Sequence, residues 1–548
     1  MNKKPHTAFI VLCEVFAHFK ISLFIFIAKE AKISYYNPLI NKLITPESTM
    51  REVLLDGKDL PLKKAIEISK GAPIALCLTV RKKIEESREL VKNLAYDDQP
   101  YYGINTGFGY LANKKISKED LHHLQHNIIT SHASGWGEPI GIPETRLSMA
   151  LRLNVLVKGY TGVRFELCTA LQNLINAEVY PIIPKYGSVG ASGDLAPLAH
   201  LALPLIGRGN VLYKGKKMSA LEALELAGLK PISLVEKEGL SLVNGTQVML
   251  GIGSIALQKA LNLVEHAEII TALTYEALDG HLAPLQPQLH EVRLQIGQIT
   301  SAKKILKALE GSYLHDTSIP RSRVQDPYSM RCAPQVHGAS RDALNYSKTI
   351  IERELNAVTD NPLVFTEEGA VISGGNFHGQ PLAFAFDIAS MAMAEIANIS
   401  ERRLELLLNP NTNKLSPFLT TDPGVDSGHM AAQYLCASLV NENKLLANPA
   451  CTDSIPGNVG IEDHVSMGMT SARKFQSIVE NTITVLSAEA LSAVQAIDLG
   501  KKTKLGKETQ ILYSSIRSHI PPWAPERILA NDIEKARSVL ETCIQLSI

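Results

Sequence analysis

The chain has 548 residues, with 55 Lys+Arg against 55 Asp+Glu and 45% hydrophobic residues. That balance leaves no basic excess to hold nucleic acid or an anionic membrane surface, and it suits a globular protein with a large core. Seven scattered cysteines, an odd number with no C-x-x-C pair, argue against a disulfide framework or zinc knuckle and fit reduced thiols in a cytoplasm.

The N-terminus stands apart. Residues 8–28 ("AFIVLCEVFAHFKISLFIFIA") follow Lys3 and Lys4 and are largely apolar, as in a signal or anchor segment. Glu14, His18 and Lys20 interrupt the run, and each is costly in hydrocarbon. Met50 then precedes "REVLLDGKDLPLKKAIEISKG", which has the character of a domain start. Residues 1–49 are expected to be an N-terminal extension outside the mature protein, an over-extended start, and residues 50–548 one interlocked unit. No membrane partner is expected.

Beyond Met50, residues 60–97 predict helices broken at Gly71 and Pro73. "YYGINTGFGYL" (101–111) is Gly-rich and aromatic, hence a loop. Helical spacing resumes over 117–131 and 143–177, and "YPIIPKYGSVGASGD" (180–194) is a loop punctuated by Pro and Gly. Leu195 to Ile206 is apolar and helix-like. A long helical pattern starts at Asn244, and residues 339–360, 381–408 and 465–497 repeat its character. Apolar stripes without strand alternation imply a mainly α fold built around a long helix bundle.

Three motifs admit bland readings. "GIGSIA" (251–256) fits a dinucleotide fingerprint but lies inside a helical pattern with no strand before it, so a close-packed helix surface is expected. His122 and His126 stand four apart on one helix, a metal-binding spacing, but no third ligand accompanies them; a solvated helix face is expected and no metal. Ser192 is not in a hydrolase elbow, because Asp194 stands where G-x-S-x-G needs glycine, nor in a P-loop. The plain reading of that loop is a tight turn in which Asp194 caps the helix that follows.

A sharper reading starts from backbone chemistry. Gly187, Gly190 and Gly193 surround the trio Ala191-Ser192-Gly193. A sharply folded chain brings the Gly193 amide nitrogen to the Ala191 carbonyl carbon, and glycine there removes the Cβ that would block approach. Closure with loss of water, and dehydration of Ser192, would leave an exocyclic methylene, a strong electrophile made without an external cofactor.

The segment "GSVGASGDLAPLAH" (187–200) resembles the signature of the aromatic amino acid ammonia-lyases, which carry a 4-methylidene-imidazol-5-one (MIO) group. "YGINTGFG" (102–109), "SHASGWGEP" (131–139), "LVNGTQ" (242–247), "VQDPYSMRCAPQVHG" (324–338), "ELNAVTDNPLV" (354–364), "SGGNFHGQP" (373–381) and "EDHVSMG" (462–468) resemble further family segments, in family order. The resemblance implies a long antiparallel helix bundle with a loop-rich N-terminal active-site region, MIO formed from Ala191, Ser192 and Gly193, and an amino acid substrate. It implies a homotetramer with shared active sites, in which Tyr102, Arg331 and Glu462 do not come from one chain.

By the same resemblance, Tyr102 is the base that takes the β-proton, its phenol lowered by positive helix ends and Arg331, with Glu462 as the runner-up. Arg331 grips the substrate carboxylate. Gln325 and Tyr328 share its face if the segment turns helically. Asn244 and Gln325 supply polar contacts, and Phe377 walls the pocket. Ser131-His132 carries the pattern of the histidine-specific branch, and Glu462 suits an imidazole N–H. The implied reaction is L-histidine to urocanate and ammonia. A tyrosine or phenylalanine ammonia-lyase, a 2,3-aminomutase and an inactive helical scaffold remain as alternatives. Ile461 and Trp136 depart from the histidine pattern.

Overall fold

The computed structural model describes residues 51–319, 323–524 and 526–546; the N-terminal extension expected over 1–49 lies outside them. Five helices make the bundle: Gln247–Ala277, Ala333–Glu354, Gln380–Leu408, Met430–Leu446 and Gly468–Leu499. Their first, third and fifth members are long and apolar enough to cross a membrane, but most of each apolar window is buried inside the bundle. They are core rods, though Gln380–Leu408 leaves a stripe with Phe384 and Met391 exposed.

The bonds between rods fix their directions. Ser340 and Ser347 donate to the Ala392 and Ala385 carbonyls, so Ala333–Glu354 runs antiparallel to Gln380–Leu408. Asn481 reaches Asn443 and Ser492 reaches His429, so Met430–Leu446 opposes Gly468–Leu499. Lys474 pairs with Asp387 and Arg403 with Glu489, so the third and fifth helices run parallel. Lys259 with Glu480 and Thr274 with Glu489 add the first helix to that set. Consecutive rods are antiparallel, and three N-termini therefore emerge at one end.

Close packing at that end needs small residues. A Cβ on Gly253 would stand 2.0 Å from the Phe386 ring, and one on Gly251 would stand 2.6 Å from Ser148 Oγ. The "GIGSIA" stretch is thus a helix-packing surface, as the sequence predicts. At the other end the Arg403–Glu489 pair is fully buried, and Glu489 also accepts from Thr274 and Ser400. A buried pair holds only with its remaining lone pairs met, as here.

Four small sheets accompany the helices. Their strands are two to four residues long, too short to leave a readable period in sequence. One bears on function: Trp136–Pro139 pairs antiparallel with Pro184–Tyr186, joining the segment after His132 to the strand that enters the Ser192 loop.

Candidate functional site

Gly190 and Gly193 both have positive φ, +79° and +70°. A Cβ on Gly193 would lie 2.1 Å from the Gly245 carbonyl oxygen and 2.9 Å from that of Phe377, so only glycine fits this approach. The loop is clamped on both sides of Gly193. Gly245 N donates to the Ser192 carbonyl at 3.2 Å, and Asp194 N donates to the Gly245 carbonyl at 2.6 Å. Ser188 Oγ accepts from Gly190 N and donates to the Gly193 carbonyl. Met467 N donates to the Val189 carbonyl. A sharply folded turn, without a Cβ at Gly193 and fixed at its flanks, is what ring closure of Ala191-Ser192-Gly193 requires, so these residues fit the MIO group.

Asp194 does not cap the helix that follows it, Leu195–Ala202, with which its side chain makes no capping bond. Its Oδ2 instead accepts from Val248 N at 2.8 Å and Met249 N at 2.7 Å, in the first turn of Gln247–Ala277. The cap is made across the fold because the packed N-terminus of that longer helix presents its free N–H groups to the loop. Burial pushes the Asp194 carboxyl up to about 7, against the pull of the two N–H donors.

Two more helix N-termini reach the same place. Cβ atoms on Gly379 and Gly468 would both touch Met249 Sδ, at 2.9 and 2.6 Å. The starts of Gln247–Ala277, Gln380–Leu408, Gly468–Leu499 and Leu195–Ala202 thus surround the loop, and their positive ends favour negative charge developing there.

Tyr102 and Glu462 approach this end together. Tyr102 Oη accepts from Gly109 N at 3.3 Å, Tyr110 N donates to Asn458 Oδ1 at 3.3 Å, and Asn458 Nδ2 donates to Glu462 Oε1 at 3.2 Å. Asn458 was not singled out from sequence; its only signal is its place between Gly457 and Gly460, beside Glu462. The Tyr102 phenol is not lowered in the single chain. Burial pushes it up, the Glu462 charge adds to the rise, and only the Gly109 N–H opposes.

Asn244 donates through Nδ2 to the Asn361 carbonyl at 3.0 Å, and its buried Oδ1 has no hydrogen-bond partner. Phe377 faces the loop through its carbonyl beside Gly193, and its neighbour His378 bonds the His464 carbonyl at 3.3 Å, drawing in the Glu462 segment. His132 is half-buried, with Nδ1 at 2.8 Å from the Ile128 carbonyl; a neutral ring so bonded leaves Nε2 as an acceptor. Gly135 N donates to His200 Nε2 at 3.0 Å, tying the His132 segment to the helix after the loop. Trp136 is exposed with its ring 6.2 Å from that of Tyr186, and Ile461 is exposed as well.

Gln325, Tyr328 and Arg331 lie elsewhere. The Tyr275 hydroxyl donates to the Met330 carbonyl at 2.8 Å, His281 N donates to Asp326, and Arg403 reaches the Ser329 carbonyl. Tyr275 is 28 residues along the helix that starts beside Asp194, roughly 40 Å at 1.5 Å per residue. The three residues therefore sit at the opposite end of the bundle from Ser192, and Arg331 cannot act on Tyr102 of its own chain. Only Tyr328–Arg331 is helical; there the guanidinium lies 4.4 Å over the Tyr328 ring, with Gln325 outside the turn. Gln325 and Tyr328 are exposed, and Arg331 Nε is buried with no hydrogen-bond partner among the described residues.

His122 is exposed 3.5 Å from Glu236, whereas His126 is half-buried and accepts from Leu234 N, so the pair is not one solvated face. Among the described residues, no three potential ligands gather around either histidine.

Residues 60–518 match the family model described as aromatic amino acid lyase. The chain is 46% identical over 489 residues to histidine ammonia-lyase of Stigmatella aurantiaca, covering 89% of this chain and 96% of the relative. The crystal structure of histidine ammonia-lyase from Trypanosoma cruzi superposes with a TM-score of 0.84 at 38% identity, covering 91% of this chain and 96% of that one. Tyrosine aminomutase from Streptomyces globisporus superposes with a TM-score of 0.86 at 35% identity, over 90% of this chain and 98% of the other.

Proposed function

The chain belongs to the aromatic amino acid lyase family, and from that premise we propose that it removes ammonia from L-histidine to give trans-urocanate. It is a carbon–nitrogen lyase, not an inert helical scaffold. The observation that carries the reading is the Ser192 loop, clamped by Gly245 on both sides of Gly193 beneath converging helix N-termini. The MIO group formed from Ala191, Ser192 and Gly193 supplies the electrophile that makes the substrate amine a leaving group.

The chain's own residues bind and move protons. Asn244 Oδ1 offers an unmet acceptor beside the loop for the substrate amine. His132 Nε2 and the Glu462 carboxylate flank the imidazole, and leaving that carboxylate against an apolar ring is costly. Phe377 walls the ring. Tyr102 takes the β-proton, which needs its phenol ionised, with Glu462 the alternative base. Arg331 holds the substrate carboxylate, with Tyr328 stacked beneath the guanidinium and Gln325 close by in sequence.

Because Arg331 lies roughly 40 Å from Ser192 along the bundle, the arginine of a working site comes from another copy. We assign a homotetramer with shared sites, located in the cytoplasm, with an amino acid as its small-molecule partner.

The test is ultraviolet absorbance of the purified protein with L-histidine, L-tyrosine and L-phenylalanine. Urocanate from histidine, abolished in Ser192→Ala, is the expected result. Coumarate or cinnamate instead, or a β-amino acid without free ammonia, would overturn the histidine assignment and favour a tyrosine or phenylalanine enzyme or an aminomutase.

A further inference from the structure

Behind the Gly245 clamp lies Arg152, fully buried in the helix Ile142–Leu156. Its NH1 donates to three oxygens: the Asn244 carbonyl at 2.8 Å, Gln247 Oε1 at 2.9 Å and the Thr359 carbonyl at 3.1 Å. Among the described residues, its Nε and NH2 have no hydrogen-bond partner. No carboxylate is bonded to it; the nearby Asp360 is held by Lys237 and Ser241. A guanidinium buried with two donors unmet is a costly choice for a packing residue.

The surrounding chain is shaped around it. A Cβ on Gly245 would stand 2.5 Å from Arg152 NH1 and 2.4 Å from Gln247 Oε1. Gln247 Nε2 in turn donates to Thr359 Oγ1, and Asn244 Nδ2 to the Asn361 carbonyl. Arg152 is thus the common donor that joins the 244–247 turn to the 359–361 segment. The middle of that turn is Gly245, whose N–H and carbonyl hold Ser192 and Asp194.

We propose that Arg152 is a positioning residue for the self-processing of Ala191-Ser192-Gly193, acting through the Asn244–Gly245 turn; the proposal rests on the MIO reading above. In that step the Gly193 nitrogen bonds to the Ala191 carbonyl carbon. The Ala191 oxygen leaves as water with the amide protons of Gly193 and Ser192. Ser192 Oγ leaves as a second water with its own proton and the Ser192 Cα hydrogen. The geometry requires the flanks of Gly193 to stay fixed while its nitrogen moves, and Arg152 fixes the residue that fixes them.

The experiment is intact-mass analysis and the absorbance of the conjugated ring, on full-length protein, with melting temperature and native mass read in parallel. Three proteins are compared: wild type, Arg152→Met and Arg152→Lys. Wild type weighs two waters less than its sequence. Arg152→Met keeps the side-chain volume but donates nothing, and its water loss is expected to be at least tenfold slower. Arg152→Lys, whose ammonium can donate to the same three oxygens, recovers most of the rate. Rescue by lysine separates positioning from generic damage, since either change removes the native packing. If Arg152→Met does not fold, Gln247→Leu serves in its place: it removes one of the three acceptors, and partial slowing is expected. Water loss at the wild-type rate in a folded Arg152→Met or Gln247→Leu, or Arg152→Lys as slow as Arg152→Met, would overturn the proposal. A wild type with no mass deficit would overturn the MIO reading itself, a different failure.

Discussion

The two ends of the bundle present different chemistry. At the Ser192 end, four helix N-termini, the clamped loop, Asn244, Tyr102 and the Asn458–Glu462 contact meet within one chain. At the other end, Gln325 and Tyr328 stand exposed and Arg331 lies over the tyrosine ring. The first end is positive through backbone dipoles, the second through a side chain. An amino acid substrate needs both, one for the reacting amine and ring and one for the carboxylate. Three parallel rods keep them roughly 40 Å apart, so under the proposed reading a working site draws on two copies.

The largest effect that sharpens this contrast comes from the arginine end. Arg331→Met removes a bidentate, charge-assisted grip and should lower kcat/KM for histidine roughly 10²–10³-fold, chiefly through KM. The Ser192 end, untouched in such a variant, should still lose two waters, which intact mass reads. A variant that lost the mass deficit as well would break the separation of the two ends.

A smaller effect tests the other end. Glu462→Gln removes the carboxylate proposed to face the imidazole and should slow histidine turnover about tenfold or more. It also removes a charge that pushes the Tyr102 phenol up. If Tyr102 is the base, activity rises as pH climbs toward its ionisation, and in Glu462→Gln that limb should move to lower pH. A limb unmoved by the change would mean Tyr102 and Glu462 do not share one site.

The smallest effect concerns stability. The Asp194 carboxyl sits at about 7 in the folded chain, well above its ordinary value of 3.8. The folded state thus holds this proton more tightly than the unfolded one. Its contribution is fully present below about pH 4 and is lost as pH rises through 7, at most about 4 kcal/mol. Asp194→Asn should show a flatter fall in melting temperature between those pH values than wild type; parallel curves would contradict the assignment.

The sequence was informative where the signal is linear. The trio Ala191-Ser192-Gly193, the "YGINTGFG" and "EDHVSMG" segments and the long helices are all contiguous stretches, and the long helices form close to where they are expected. What it hid depends on direction and partners. Asp194 reads as a cap for the next helix because its neighbours in sequence are visible and the start of Gln247–Ala277, across the fold, is not. That Arg331 cannot lower Tyr102 of its own chain follows from the direction of the rods, which no stretch of sequence shows. Asn458 and Arg152 have no motif of their own, and their roles come from what they touch. Strands of two to four residues leave no period at all.

The most direct test of the central claim is complementation. Ser192→Ala and Arg331→Met are each expected to be nearly inactive alone, one lacking the electrophile and the other the carboxylate grip. Co-expressed in one cell, they should form mixed assemblies in which some sites draw an intact Ser192 loop from one copy and an intact Arg331 from another. Urocanate formation well above the sum of the two parents is the predicted result. A mixture shown by native mass to contain both chains, yet no more active than its parents, would contradict a site built from opposite ends of two copies.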